Sequence, residues 1–173
     1  MSGTEPAAFA VDFLARFTAS EQFEKVFKEG MSLVEETANY LDGPGRVDAR
    51  VLDRHGAIAY ATESMRLTTR LMQLASWLLL QRAIGAGELS VEDARKENHR
   101  ISLADIGRGH DLAGSEDLPD ALKALVERSI LLHARIQKLD SMITAQASPT
   151  PAVASPVSDQ IDKLAILLKV ARG

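Results

Sequence analysis

Leu118, Leu122, Leu125, Ser129, Leu132, Ile136, Leu139 and Ile143 recur at alternating spacings of four and three over more than three heptads. That interval returns residues to one side of an α-helix and of no other regular structure. The seam commits this stretch to a long helix packed at a shallow angle in an antiparallel bundle. Pro119 suits its first turn, where a backbone N–H is not needed.

Gly and Pro punctuation marks off the other elements. One long helix is expected from Thr18, which with Glu21 makes a Thr-x-x-Glu capping box, to the breaker Asp42-Gly43-Pro44-Gly45. Phe23, Phe27, Gly30, Val34, Thr37 and Leu41 share its stripe, with Val26 and Met31 alongside. Gly30 in mid-helix costs about 1 kcal/mol relative to Ala; it marks a tolerated weakness or the close approach of a neighbour. A second long helix is expected from about Asp48 or Arg54 to Ile84, stopped by Gly85-Ala86-Gly87. A short helix follows, from Ser90 with Asp93 as its box to about Arg100, and then an irregular stretch to Leu118. The fold class is all-α: an antiparallel three-helix bundle with a short additional helix.

The second long helix carries more apolar surface than such a bundle can hide. Leu67, Leu71, Leu74 and Leu78 form one stripe, Met65, Met72, Ala75 and Leu79 lie beside it, and Trp77, Leu80 and Ile84 extend it around most of the circumference. A helix apolar nearly all round is central in a larger core or shared between subunits. Three helices cannot enclose one of their own, so the Trp77 end is expected to be a dimer or partner interface. Trp77, Leu80 and Ile84 would form its apolar part. Arg66, Arg70, Gln73 and Gln81 either rim it or merely solubilise the helix.

Beyond Ala147 the composition shifts to Pro, Ser and Ala, as in Ser148-Pro149-Thr150-Pro151. Residues 1–147 are thus expected to be the bundle domain, and 148–173 a disordered linker ending in an apolar tail. Burying Ile161, Leu164, Leu167, Leu168 and Val170 would contribute roughly 1.5–3 kcal/mol each. Ordering about ten residues costs roughly 1–2 kcal/mol apiece, which nearly cancels it. Such a segment suits transient docking on a partner, or else packs back on its own bundle.

Chemistry-bearing patterns are thin. The chain has no cysteine, which removes thiolate metal sites and disulfides. His55 and His133 stand alone. His99 and the loop Gly107-Arg108-Gly109-His110-Asp111 make the one arrangement that could hold an anion or orient a base, and they support an alternative reading as a small-ligand-binding or enzymatic bundle. Gly-x-Gly without a preceding strand lacks the context of a dinucleotide site. No catalytic residue, metal ligand or cofactor site is therefore expected. A formal net charge of -4 with interspersed signs lacks the basic footprint of a nucleic-acid binder. No segment has the roughly 20 apolar residues of a membrane span, and no basic stretch followed by an apolar block opens the chain, so a cytoplasmic protein is expected.

The run from Glu63 to Ala83, ESMRLTTRLMQLASWLLLQRA, followed by Gly87-Glu88-Leu89-Ser90, resembles the RcdA family of alphaproteobacteria, regulators of CtrA degradation. The resemblance spans most of the chain, including the Pro-rich linker and apolar tail. It implies a non-enzymatic adaptor that brings cell-cycle proteins to the ClpXP protease, accumulates at a cell pole, dimerises and acts alongside other adaptors. A third reading is a structural scaffold at the pole that never touches a protease.

Overall fold

A computed structural model describes residues 5–101, 103 and 112–147. The elements in chain order are α1 (Glu5–Thr18), α2 (Glu21–Asp42), α3 (Pro44–Arg50), α4 (Arg54–Gly85), α5 (Val91–Arg100), a single 3-10 turn (Ser115–Asp117) and α6 (Asp120–Ala147). The described residues form a helical bundle without strands, built on α2, α4 and α6.

Three helix starts are fixed by side-chain caps, that of α5 by Ser90, which accepts from the Asp93 backbone N–H. Ser20, not Thr18, caps α2 by accepting from the Phe23 backbone N–H, and Asp53 caps α4 by accepting from the Gly56 N–H. Thr18 instead ends α1, its hydroxyl donating to the Leu14 carbonyl. The capping box expected at Thr18 and Glu21 therefore does not form, because a helix already occupies the preceding residues. The expected breaker at Asp42–Gly45 does end α2, but Pro44 at once opens the short α3.

The long seam of α6 is core as its spacing requires. Leu118, Leu122, Leu125, Ser129, Leu132, Ile136 and Ile143 are buried, and Leu139 packs against them. Opposite lie Phe23, Val26 and Leu33 of α2 and Leu67, Leu71, Leu74 and Leu78 of α4. Gly30 marks a close crossing: a β-carbon there would stand 2.5 Å from Leu78 Cδ1. Helices α2 and α6 run antiparallel, tied by Arg128–Glu36 and Arg135–Glu29 pairs of 2.7 Å. Helix α6 runs in the direction of α4, since Arg70 meets Ser129 and Trp77 meets Asp140. The return from Ala86 to Pro119 allows that sense.

At the corner of α2, α3 and α4 the Tyr40 hydroxyl donates to Asp48 Oδ2 at 2.9 Å. Burial raises the Tyr40 phenol well above its ordinary range, and the hydrogen bond and charge of Asp48 push the same way. Tyr60 is also raised, by burial first and by Asp48's charge, with the neighbouring Ser64 hydroxyl acting in the opposite direction. A folded-state pKa above the unfolded value of about 10 leaves stability intact below that pH and erodes it as pH climbs further. The urea midpoint should therefore fall between pH 9.5 and 11.5 by more in the natural chain than in Tyr40→Phe. Equal falls would show that this phenol does not couple to folding.

Candidate functional site

Helix α4 has two apolar faces, and the fold covers one of them. Its buried side packs on α2 and α6 through Leu67, Leu71, Leu74 and Leu78. Helix α1 adds Phe13, Leu14 and Phe17 to this core. Near the C-terminal end, Leu80 and Ile84 pack with Ala94 of α5 and with Leu14, Leu89 and Ile101.

This arrangement corrects the expectation of an interface at the Trp77 end. Trp77 is fully buried and donates through Nε1 to Asp140 at 2.8 Å. Leu80, Ile84 and Arg70 are buried as well, the Arg70 guanidinium donating to the Ser129 hydroxyl at 2.9 Å. Arg66 is half-buried and reaches back to Glu63 at 2.8 Å. Gln73 is half-buried beside them. The surplus of apolar surface inferred for three helices is met here by α1 and α5, two further helices laid against α4.

On the far side α4 is bare. Ile58, Met65, Met72 and Leu79, seven residues apart, are 53%, 70%, 66% and 54% exposed. Between them lie Ala61, Thr62, Thr68, Thr69, Ser76 and Ala83, all exposed or half-exposed. This strip carries no charged side chain from Ile58 to Ala83. Such a length, about 38 Å at 1.5 Å per residue, is unusual for a face meant to meet only water. The hydroxyls of Thr62, Thr68 and Thr69 donate to the carbonyls of Ile58, Ser64 and Met65 within 2.8–2.9 Å. They are satisfied inside the helix, so covering them strands no hydrogen bond. Helix α3 adds the exposed Val47 and its C-cap Val51. Six of the eight large exposed apolar residues among the described ones thus sit on α3 and α4, the other two being Leu131 and Met142 on α6.

The sequence showed Met65, Met72 and Leu79 beside the core stripe, and their spacing of seven was the available signal. What it lacked was which of the two faces the rest of the chain covers.

The Gly107–Asp111 loop and the tail residues Ile161, Leu164, Leu167, Leu168 and Val170 lie outside the described residues, as does the side chain of His99. Among the described residues, no group of three or more His, Asp or Glu is placed to hold a metal ion. No helix among them is long and apolar enough to cross a membrane. What the described surface offers is an uncharged helix face, a feature suited to binding another helix.

Residues 14–167 match a family described as protein of unknown function (DUF1465). The crystal structure of RcdA from Caulobacter crescentus CB15 is similar, at 49% identity and a TM-score of 0.61, with 75% of this chain and 96% of that chain covered. No curated protein matches.

Proposed function

Because this chain belongs to the RcdA family, we propose that it is a non-enzymatic adaptor for regulated proteolysis, tethering cargo proteins to ClpXP in cell-cycle control. The observation that carries this reading is the 49% identity to RcdA across 96% of that chain. The uncharged α4 face supports it, since an adaptor acts through surfaces. Tethering raises the local concentration of cargo at the protease without chemistry by the adaptor. In this reading the protein is a cytoplasmic homodimer concentrated at a cell pole. The segment 148–173 serves as linker and docking tail, with Ile161, Leu164, Leu167, Leu168 and Val170 engaging a partner.

Purified ClpXP, ATP and a candidate cell-cycle cargo, with and without the full chain, test the proposal. Cargo well below saturation should be degraded on the order of tenfold faster when the chain is present. Equal rates across a panel of such cargoes would refute the adaptor role. A chain ending at Ala147 should keep its melting temperature and lose most of that acceleration. A drop of many degrees would instead assign the tail to the core.

A further inference from the structure

We infer that the bare face of α4 is covered, reversibly, by this chain's own C-terminal segment 158–172, folded back on it as an antiparallel helix. The inference goes beyond the adaptor reading and does not depend on it.

The two surfaces match in spacing and in size. Along α4, Leu79, Ser76, Met72 and Thr69 are separated by three, four and three residues, the repeat by which two helices mesh side by side. In the tail, Ser158, Ile161, Ala165 and Leu168 are separated by three, four and three as well. Laid antiparallel, Ser158 faces Leu79, Ile161 faces Ser76, Ala165 faces Met72 and Leu168 faces Thr69. Each large side chain meets a small one, the arrangement by which facing layers interdigitate. Arg172 then lays its methylene stem over Met65 and keeps its guanidinium in water. Ser158 with Asp159 behind it also suits a helix start. On the α4 side there is no charge to desolvate, and the Thr69 hydroxyl is already bonded within its own helix.

Where the chain leaves the bundle favours the same occupant. Helix α6 runs in the direction of α4 and Asp140 meets Trp77, so Ala147 lies level with the C-terminal end of α4. The tail therefore arrives at the Leu79 end, with the length of α4 available only in the reverse sense. That sense also sets opposite ends of the two helix dipoles together. From α6 across α4 to a helix on its far side is two interhelical distances, about 16–20 Å. Eleven residues, Ser148 to Ser158, span about 17–20 Å on average as a flexible chain. A tether whose mean length equals the gap gives the docked state its highest effective concentration. Apolar burial and backbone ordering in the tail nearly balance, so the tether tips the equilibrium and docking stays reversible. A partner that seeks this face of α4 must first displace the tail.

The absence of cysteine lets disulfide closure report docking in the full chain. A dilute Met72→Cys/Ala165→Cys chain in glutathione buffer should close an internal bond severalfold more readily than Met142→Cys/Ala165→Cys. Met142 is also exposed and stands nearer the base of the linker, so an undocked tail would meet it at least as often. Only cysteines whose Cα atoms come within about 7 Å can close. Equal closure would overturn the inference. So would linkage found only between chains, which would place the tail on another copy. Trypsin gives a second reading: the natural chain should be cut after Lys163 severalfold more slowly than Met72→Lys at the same melting temperature. Leu168→Gln, which alters the tail alone, should speed that cut as well. Cutting rates equal to the natural chain's in both variants would also overturn it. Neither measurement involves the protease, so docking and the adaptor role fail on separate results.

Discussion

Trp77→Ala should destabilise the protein by about 3–5 kcal/mol, the range for truncating a fully buried large aromatic side chain. Two effects add at this position. The indole is completely enclosed by the main core, so its removal leaves a void that surrounding helices can fill only in part. Its Nε1–H is also the partner of Asp140, whose carboxylate would lose a bond across the α4–α6 contact. For a chain of this length the loss corresponds to a fall of roughly 6–20 °C in melting temperature, measured by far-ultraviolet circular dichroism. Trp77→Phe keeps most of the volume and forfeits the hydrogen bond, and should fall by less than half as much. A change of only a degree or two in Trp77→Ala would mean that the indole is not enclosed, and would restore the Trp77 end as an open surface.

Gly114→Ala should be strongly destabilising for a single added methyl group, because it combines an unfavourable backbone conformation with a collision. Gly114 has φ +87°, a conformation that alanine adopts only at a cost of about 1–2 kcal/mol. Its position adds a collision: a β-carbon would stand 2.5 Å from the His55 carbonyl carbon and 2.6 Å from the Gly56 nitrogen. Both are backbone atoms at the start of α4, so neither can rotate aside. Either the turn before α6 lifts away from α4 or α4 loses its first turn, and a total of about 2–4 kcal/mol is expected. Gly87 is the internal control. It also has positive φ, +73°, but nothing lies within 4 Å of the position of a β-carbon. Gly87→Ala should therefore cost about 1 kcal/mol, from backbone conformation alone. Chemical denaturation of the two variants side by side separates the terms, and equal losses would show that the contact at His55 is not tight.

The long helices were legible because their packing is periodic. The leucine seam of α6 and the Leu67–Leu78 stripe of α4 lie where spacing placed them, and Pro119 stands immediately before Asp120, the first residue of α6. Helix α1 escaped because the Thr18–Glu21 pattern resembles a helix start, while Ser20 two residues on does the capping. That single displacement governed the reading of the site. Without α1, the Trp77 side looks open and the Met65–Met72 side looks like its continuation. With α1 and α5 in place the order reverses, because the wider apolar arc is buried and the narrower heptad strip is left outside. Periodicity reports how many faces a helix has. Which face the remainder of the chain claims depends on tertiary contacts, and a one-dimensional pattern does not encode them.

Leu80, Ile84 and Ala94 form a cluster of their own, apart from the main core and shared with Leu14, Leu89 and Ile101. Helix α5 is thus fastened mainly by a few aliphatic contacts at one end of α4, while the crossing of α2, α4 and α6 holds the rest. Breaking so small a latch would take less free energy than global unfolding. Its loss would wet Leu80 and Ile84 while leaving the main core in place, opening a second greasy patch at the far end of the longest described helix.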